Sequence, residues 1–301
     1  MTPSGGLVIV DKPAGWTSHD VVARIRRLAG TRRVGHAGTL DPMATGVLVV
    51  GVERATRLLG HLALHDKAYE ATIRLGVATV TDDAEGDVVA TTPADQVTDE
   101  AIDAAVAALT GDIEQVPSSV SAIKVAGRRS YARVRSGDTV ELAARRVTVH
   151  ELEVRSTRRE GDVVDLDVTV VCSTGTYVRA LARDLGSALG VGGHLTALRR
   201  TWVGPFDLDV ARTLDELETT LVVMPVDEVA RLVFDCRDLG ADQARVVSHG
   251  GPLPWTEVPP RAPGWAPVEG SVPLAFFGPD GTFLALAEQR DGAARPLAVF
   301  V

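Results

Sequence analysis

The sequence predicts a large domain that mixes strands with helices, followed by a small β-rich domain. Its 301 residues are about twice the length of a typical single domain, and its hydrophobic content of 45% supports a sizeable core. Strand-like and helix-like patterns follow one another up to about residue 235. Beyond it, short apolar runs alternate with prolines between residues 252 and 273. We therefore expect domains at 1–235 and 236–301.

Hydrophobic periodicity and capping residues predict each element in turn. The expected strands lie, in chain order, at residues 6–10, 47–52, 67–75 and 163–172. Ser18 is expected to cap a helix that runs to about Leu28, and Gly186 to stop a helix entered by the Ser/Thr/Gly run at 173–176. Two further helices are expected near 55–64 and 99–109.

Several classes of protein are disfavoured by what the sequence lacks. No apolar run reaches the roughly 20 residues of a membrane span, and no signal peptide is recognisable, so we expect a cytoplasmic protein. Cys172 and Cys236 are the only cysteines, and neither they nor the dispersed histidines have metal-ligand spacing. The glycines at 190–193 lack the GxGxxG spacing of a dinucleotide site. We therefore expect neither a metal nor a nucleotide cofactor.

Charge is unevenly distributed along a chain whose net charge is −9. Residues 201–301 carry −8, whereas residues 124–146, within a Ser-, Gly- and Arg-rich section at 117–146, carry +5. Such basic clusters bind phosphates, although arginine could also simply be this chain's usual surface cation. The acidic C-terminal region is poorly suited to contacting RNA broadly. The candidate phosphate-binding residues are Arg24, Arg27, Arg32, Arg33, Lys124, Arg128, Arg129, Arg145, Arg146, Arg199 and Arg200.

Asp41 is an isolated acid in a segment of small and turn-forming residues, between Gly38 and Gly46. An acid needed only for solubility usually lies among other charges, so a reacting group is one interpretation. The alternative is that Asp41 and Pro42 simply open a turn or cap a helix, as most Asp-Pro pairs do. The sequence around Asp41 leaves both interpretations open.

Four short strings together resemble those of the bacterial TruB family, the tRNA pseudouridine-55 synthases. They lie at residues 8–15, 35–42, 67–69 and 175–179. The resemblance implies an α+β fold, with a mixed, largely antiparallel central sheet, flanking helices and a small β-rich PUA-like C-terminal domain. It implies isomerisation of a tRNA uridine without a cofactor, and it makes residues 117–146 an arm that grips RNA.

The resemblance also assigns roles to individual residues. Asp41 would be the catalytic aspartate, ionised and shielded from water, and Arg179 the cation that holds its charge. Tyr69 would stack on the target base. Tyr177 and Leu198 would line the same pocket.

Two further residues and the partner follow from the same resemblance. His36 would fill the space that the flipped base leaves, and Lys12 would position the Asp41 loop or the RNA backbone. The partner would be the T-arm of tRNA, recognised by shape and phosphate contacts, and the protein would act as a monomer. A non-catalytic tRNA-binding or tRNA-folding protein, a small-molecule enzyme and a guide-RNA-dependent relative are the alternatives.

Overall fold

The computed structural model describes residues 5–118, 142–257 and 273–301, together with the backbone of 124–125 and 128–129. Its strands are β1 (Gly6–Lys12), β2 (Val34–Ala37), β3 (Thr45–Val52), β4 (Lys67–Leu75), β5 (Val77–Thr79), β6 (Val88–Thr91), β7 (Gly111–Gln115), β8 (Lys124–Val125), β9 (Arg128–Arg129), β10 (Arg145–Glu160), β11 (Val163–Cys172), β12 (Gly193–Val203), β13 (Phe206–Asp207), β14 (Met224–Pro225), β15 (Asp235–Asp238), β16 (Leu253–Pro254), β17 (Leu274–Phe277), β18 (Phe283–Arg290) and β19 (Ala293–Val299). Its helices are α1 (Ser18–Ala29), α2 (Leu59–Leu62), α3 (Asp99–Ala108), α4 (Val178–Ala188), α5 (Leu214–Thr219), α6 (Val226–Val233) and α7 (Ala241–Ser248), with a 3-10 helix at Glu53–Arg57. None of the described helices is both long and apolar enough to cross a membrane.

The chain divides into two compact units, one formed by Met1–Asp66 with Trp202–Val301 and the other by Lys67–Thr201. In the first unit β1 lies between β14 and β3, and β2 forms a hairpin with β3 by pairing with its residues 49–52 on the edge opposite β1. All three pairs are antiparallel. The nearly continuous burial of β1 and β3 explains their unbroken apolar sequences, because a strand covered on both faces needs no polar alternation.

The C-terminal part of the first unit is β-rich, as we expected. Its sheet has the order β15-β17-β18-β19-β16, with β15 and β17 parallel and the other pairs antiparallel. One apolar cluster joins this sheet to the N-terminal strands, since it contains Phe283 and Phe300 as well as Leu7 and Val49. The boundary at residue 235 stays a prediction.

The second unit contains a sheet of order β12-β4-β11-β10-β7. The pairs β4–β11, β10–β11 and β7–β10 are antiparallel. Along β11, buried residues alternate with partly exposed ones, which is the period-two pattern of a strand with one covered face. The expected α+β class with a largely antiparallel sheet and flanking helices is confirmed.

Three local expectations are corrected by the structure. The N-cap of α1 is Thr17, not Ser18, and Thr17 and Asp20 form a complete capping box. The helix expected at 55–64 is a 3-10 turn followed by the four-residue α2.

The third correction concerns Gly186, which lies inside α4 and does not stop it. A Cβ at Gly186 would lie 2.1 Å from the backbone carbon of Gly192, so this glycine permits a close backbone approach. The expected arm at 117–146 falls largely outside the described residues.

Candidate active site

Asp41 lies in the loop of the β2–β3 hairpin, between Ala37 and Thr45. The loop starts at Gly38, whose φ of 74° is a left-handed conformation that favours glycine. The Ala44 amide donates to the carbonyl oxygen of Asp41 at 3.1 Å, so Asp41 is the first residue of a β-turn and Pro42 occupies the second position, where proline is preferred. Asp41 and Pro42 therefore do open a turn, and this geometry is compatible with either interpretation of Asp41. The residue is half-buried, whereas we had expected it to be shielded from water.

Lys12, at the end of β1, is completely buried and contacts the backbone of this loop. Its Nζ donates to the carbonyl oxygens of Pro13 at 3.0 Å, Trp16 at 2.6 Å and Pro42 at 3.2 Å. The Gly15 amide donates to the same Pro42 oxygen at 2.8 Å. These contacts attach the turn to the segment that follows β1, and they support the loop-positioning alternative of the two that we considered for Lys12.

His36 lies on β2, opposite Val50 of β3, and is half-buried. Its ring meets the ring of His19 on α1 edge-on, with 5.5 Å between the centroids. The histidine predicted to stabilise a flipped base thus belongs to a pair, which the sequence did not suggest because the two residues lie on different elements.

In the second unit, Tyr69 and Leu198 lie on the neighbouring strands β4 and β12 and are both buried. Tyr69 stands opposite Val170 of β11, so its backbone is held on a central strand of the sheet. A tyrosine anchored in this way loses little freedom when it stacks on a base. The stacking itself stays a prediction.

Tyr177 precedes the first residue of α4, and its backbone is held by a buried amide. The Tyr177 N–H donates to Gln115 Oε1 at 2.8 Å, and Gln115 Nε2 donates to the Tyr177 carbonyl oxygen at 3.1 Å. Because α4 lacks a side-chain cap, Gln115 supplies an acceptor for the Tyr177 N–H and adds a second donor to a carbonyl oxygen that already accepts from the Leu181 N–H at 3.2 Å. Gln115 was not predicted from the sequence, because Tyr177 lies 62 residues away and no local pattern connects the two residues.

Arg179, on the first turn of α4, is 4% exposed. Its Nη1 donates to the Thr81 carbonyl oxygen at 2.7 Å and lies 3.3 Å from Asp83 Oδ2. The Asp83 carboxylate also accepts a bond from the Glu85 amide at 3.0 Å and one from the Thr81 hydroxyl. A buried carboxylate with these partners is a stable counter-charge, so Asp83 is a functional candidate that sequence reasoning missed.

A second ion pair lies one helical turn further along α4. Arg183 Nη1 is 3.3 Å from Asp82 Oδ2, and Arg183 Nη2 donates to the Val116 carbonyl oxygen at 2.7 Å. Burial raises the pKa of the Asp82 carboxyl above its usual range. The adjacent acids Asp82 and Asp83 therefore pair with Arg183 and Arg179, respectively. These two arginines are four residues apart and lie on one face of α4. The signal in the sequence is that residues 79–87 form a polar, turn-rich segment.

The candidate phosphate-binding arginines differ in availability. Exposed side chains are found at Arg27, Arg32, Arg33, Arg145 and Arg146, while Arg199 is half-exposed. Arg24 forms an ion pair with Glu218. Lys124, Arg128 and Arg129 have no described side chains.

Arg200 requires a correction. It is 1% exposed, and a guanidinium enclosed by protein cannot neutralise a phosphate on the surface. The sequence predicts Arg199 and Arg200 together as phosphate contacts, but successive residues of β12 point to opposite faces.

The predicted site residues thus fall into two described groups. Lys12, His36 and Asp41 belong to the first unit, and Tyr69, Tyr177, Arg179 and Leu198 belong to the second. That both groups serve one reaction stays a prediction.

Comparison with known families covers almost the whole chain. Residues 26–178 match the TruB family pseudouridylate synthase N-terminal domain, residues 179–232 match the tRNA pseudouridylate synthase B C-terminal domain, and residues 234–301 match the tRNA pseudouridine synthase II C-terminal domain.

Individual proteins support the same conclusion. The chain is 59% identical over 299 residues to the tRNA pseudouridine synthase B of Thermobifida fusca (strain YX), with 98% of each chain covered. It is 56% identical over 302 residues to the protein of the same name from Cutibacterium acnes (strain DSM 16379 / KPA171202), with 100% of this chain and 99% of that one covered. A solved Cbf5-Nop10-Gar1 complex contains a chain with a TM-score of 0.71 and 26% identity, at 98% and 85% coverage. The chain belongs to the TruB family of pseudouridylate synthases.

Proposed function

We propose that this protein converts a uridine in the T-loop of tRNA, at position 55, to pseudouridine. The observation that carries the proposal is the 59% identity, over 98% of both chains, to a protein named tRNA pseudouridine synthase B. The four strings at 8–15, 35–42, 67–69 and 175–179 lie within this matching length. The target position comes from the family resemblance.

The proposed reaction is an isomerisation. The bond between ribose C1′ and uracil N1 breaks, the uracil turns, and a bond forms between C1′ and C5. C5 loses one proton and N1 gains one, so substrate and product have the same composition. The reaction therefore requires no oxidant, reductant or transferred group from outside.

Asp41 is the proposed catalytic residue, acting as nucleophile or as an electrostatic and acid–base participant. Two observations support this role. Asp41 is half-buried, and the carbonyl oxygen of the next residue, Pro42, accepts hydrogen bonds from Lys12 and Gly15. A carboxylate that is already positioned loses little conformational entropy when the substrate binds. Such positioning accounts for a large part of the lowering of the activation barrier by enzymes. Arg179 is proposed to supply the positive charge that keeps the carboxylate ionised.

The remaining pocket residues are proposed to hold the extruded base. Tyr69 would stack on the uracil, a contact worth about 1–3 kcal/mol in single-strand binders. Tyr177 and Leu198 would line the pocket. His36 would occupy the gap in the RNA stack and offset part of the few kcal/mol that flipping costs.

The partner is proposed to be the T-arm of tRNA, bound through its shape and its phosphates. The exposed arginines Arg27, Arg32, Arg33, Arg145 and Arg146 are the described side chains best suited to those phosphate contacts. We expect the protein to act as a monomer, which light scattering on a sizing column would test.

Incubation of the purified protein with an unmodified tRNA transcript, followed by mapping of pseudouridine, tests the proposal. We expect conversion at position 55 alone and none in a transcript that carries cytidine there. Conversion at another uridine would overturn the target. Tight binding without any conversion would favour the tRNA-binding or tRNA-folding alternative.

A second candidate is favoured by the structural similarity to Cbf5, which was solved in a complex with Nop10 and Gar1. If this chain worked as part of such an assembly, it would be inactive alone. The same incubation, with no other protein or RNA added, therefore separates the two candidates.

A further inference from the structure

Ser18 is the first residue of α1, but it takes no part in capping that helix. Thr17 accepts the Asp20 amide at 3.1 Å, and the Asp20 carboxylate accepts the Thr17 amide at 2.9 Å and the Thr17 hydroxyl at 2.6 Å. This reciprocal capping box satisfies the helix start. The Ser18 hydroxyl is therefore available for another partner.

That partner is the backbone of Leu40, which lies 22 residues away. Ser18 Oγ donates to the Leu40 carbonyl oxygen at 3.0 Å and accepts from the Leu40 N–H at 2.9 Å. Ser18 is 1% exposed, and Leu40 is buried as well. Leu40 lies beyond the end of β2, where none of the described strands pairs with it, and buried backbone groups require hydrogen-bond partners. The Ser18 hydroxyl is the hydrogen-bond partner of both the Leu40 carbonyl oxygen and the Leu40 N–H.

The Leu40 carbonyl belongs to the peptide group that also contains the Asp41 nitrogen. Because a peptide group is planar, a hydrogen bond to this oxygen fixes the orientation of the whole Leu40–Asp41 peptide group. It therefore restricts the position of the Asp41 Cα. On the other side of Asp41, Lys12 and Gly15 hold the Pro42 oxygen. The backbone on both sides of Asp41 is thus attached to residues 12–18, which lead from the end of β1 to the start of α1.

We propose that Ser18 is a positioning residue for the isomerisation. Its hydroxyl holds the Leu40–Asp41 peptide group and thereby sets the point at which the Asp41 carboxylate meets the uridine. This inference rests on the proposed catalytic role of Asp41. A displacement of about 1 Å at a reacting group can cost about 100-fold in rate, so the loss of this anchor should affect the chemical step and not the affinity for RNA.

Three variants test the inference by single-turnover conversion of a tRNA transcript at saturating enzyme. Ser18→Ala removes both hydrogen bonds, Ser18→Thr keeps a hydroxyl, and Thr17→Ala is the matched control that weakens the same helix start without touching the loop. We expect Ser18→Ala to lower the rate constant about 10- to 100-fold, with tRNA affinity within about twofold of the wild type. Thr17→Ala should stay within about twofold in rate, and Ser18→Thr should recover most of the loss.

Amide hydrogen exchange at Leu40 supplies a second measurement that needs no activity. We expect Leu40 to lose protection in Ser18→Ala and to keep it in Thr17→Ala. An active Ser18→Ala with wild-type rate would overturn the inference, whether or not Leu40 loses protection. Equal rate losses in Ser18→Ala and Thr17→Ala would overturn it too, because they would point to helix stability. If the wild-type protein forms no pseudouridine at all, the proposed function itself fails, which is a distinct result.

Discussion

The ammonium group of Lys12 lies 3.2 Å from the carbonyl oxygen of Pro42, the residue that follows Asp41. Lys12 is completely buried, and a buried ammonium is costly unless hydrogen bonds replace its water. The carbonyl oxygens of Pro13 and Trp16 provide two such bonds. Lys12 therefore links the end of β1 to the turn that carries the candidate catalytic acid.

Replacement of Lys12 by methionine should lower both stability and activity. A hydrogen bond made by a charged group contributes about 1.5–3 kcal/mol. The turn would also lose one of its two described attachments, because the Pro42 carbonyl oxygen would keep only the Gly15 N–H. Urea unfolding and single-turnover conversion of tRNA measure the two effects. Arg245→Met, at an exposed site on α7, is the control and should change neither. A Lys12→Met protein with wild-type activity would show that the Pro42 contact is not needed.

Replacement of Asp41 by asparagine should abolish isomerisation and leave tRNA binding almost intact. Asparagine keeps the shape of the side chain but cannot act as an anionic nucleophile or base. Conversion and tRNA affinity should be measured on the same preparation. Asp242→Asn, at a side chain that is 97% exposed, is the matched control. Substantial conversion by Asp41→Asn would remove this residue from the mechanism.

Replacement by asparagine should destabilise the protein at Asp83 and should not destabilise it at Asp82. Asp83→Asn removes the carboxylate that lies 3.3 Å from Arg179 Nη1, and breaking a buried ion pair typically costs about 3–5 kcal/mol. For Asp82, whose φ of 60° is one that asparagine tolerates, we expect a urea midpoint at pH 7 equal to or above that of the wild type.

The pH dependence of Asp82→Asn follows from the sign of its pKa shift. Burial raises the pKa of Asp82 in the folded state above its ordinary value of 3.8. Its contribution to stability is therefore fully present below 3.8 and is lost as pH rises through the folded-state pKa. Any stability gain of Asp82→Asn at pH 7 should shrink as the pH falls towards 3. A gain that is independent of pH would contradict this explanation.

Affinity for tRNA should fall steeply with salt, and the exposed arginines Arg27, Arg32 and Arg33 should account for part of the slope. Each phosphate contact removed should reduce the slope of log affinity against log salt by about 0.7–0.9. Affinity measured between 50 and 200 mM salt for the triple alanine variant checks this. An equal slope in both proteins would exclude these residues from the RNA contacts. Arg290→Ala, in the C-terminal sheet, is the control.

Phe283→Ala should destabilise the first unit as a whole. The ring is 1% exposed, and its centroid lies 4.5 Å from that of Phe300 and 5.5 Å from that of Phe277. Loss of a buried phenylalanine costs about 3–5 kcal/mol. Because the same apolar cluster contains Leu7, probes in β1 and in the C-terminal sheet should report one shared urea transition. Leu297→Ala, at an exposed position, should have little effect.

Local sequence patterns predicted many of the elements that carry the candidate site. Unbroken apolar runs marked β1 and β3, and strict alternation marked β4 and β11, because these patterns depend only on which faces of a strand are covered. The expectations failed where two local signals competed. Thr17 and Ser18 are both good caps, and only the position of Asp20 three residues after Thr17 decides between them.

The motifs around Asp41, Tyr69 and Arg179 can be identified from the sequence by itself, because a family motif is defined by the type and the order of its residues. Tertiary structure alone decided which buried polar groups meet. Asp83 reaches Arg179, Gln115 reaches Tyr177 and Ser18 reaches Leu40 across 96, 62 and 22 residues. Neighbouring residues determine propensity and periodicity, whereas a buried hydrogen bond depends on which distant segments the packed core brings together.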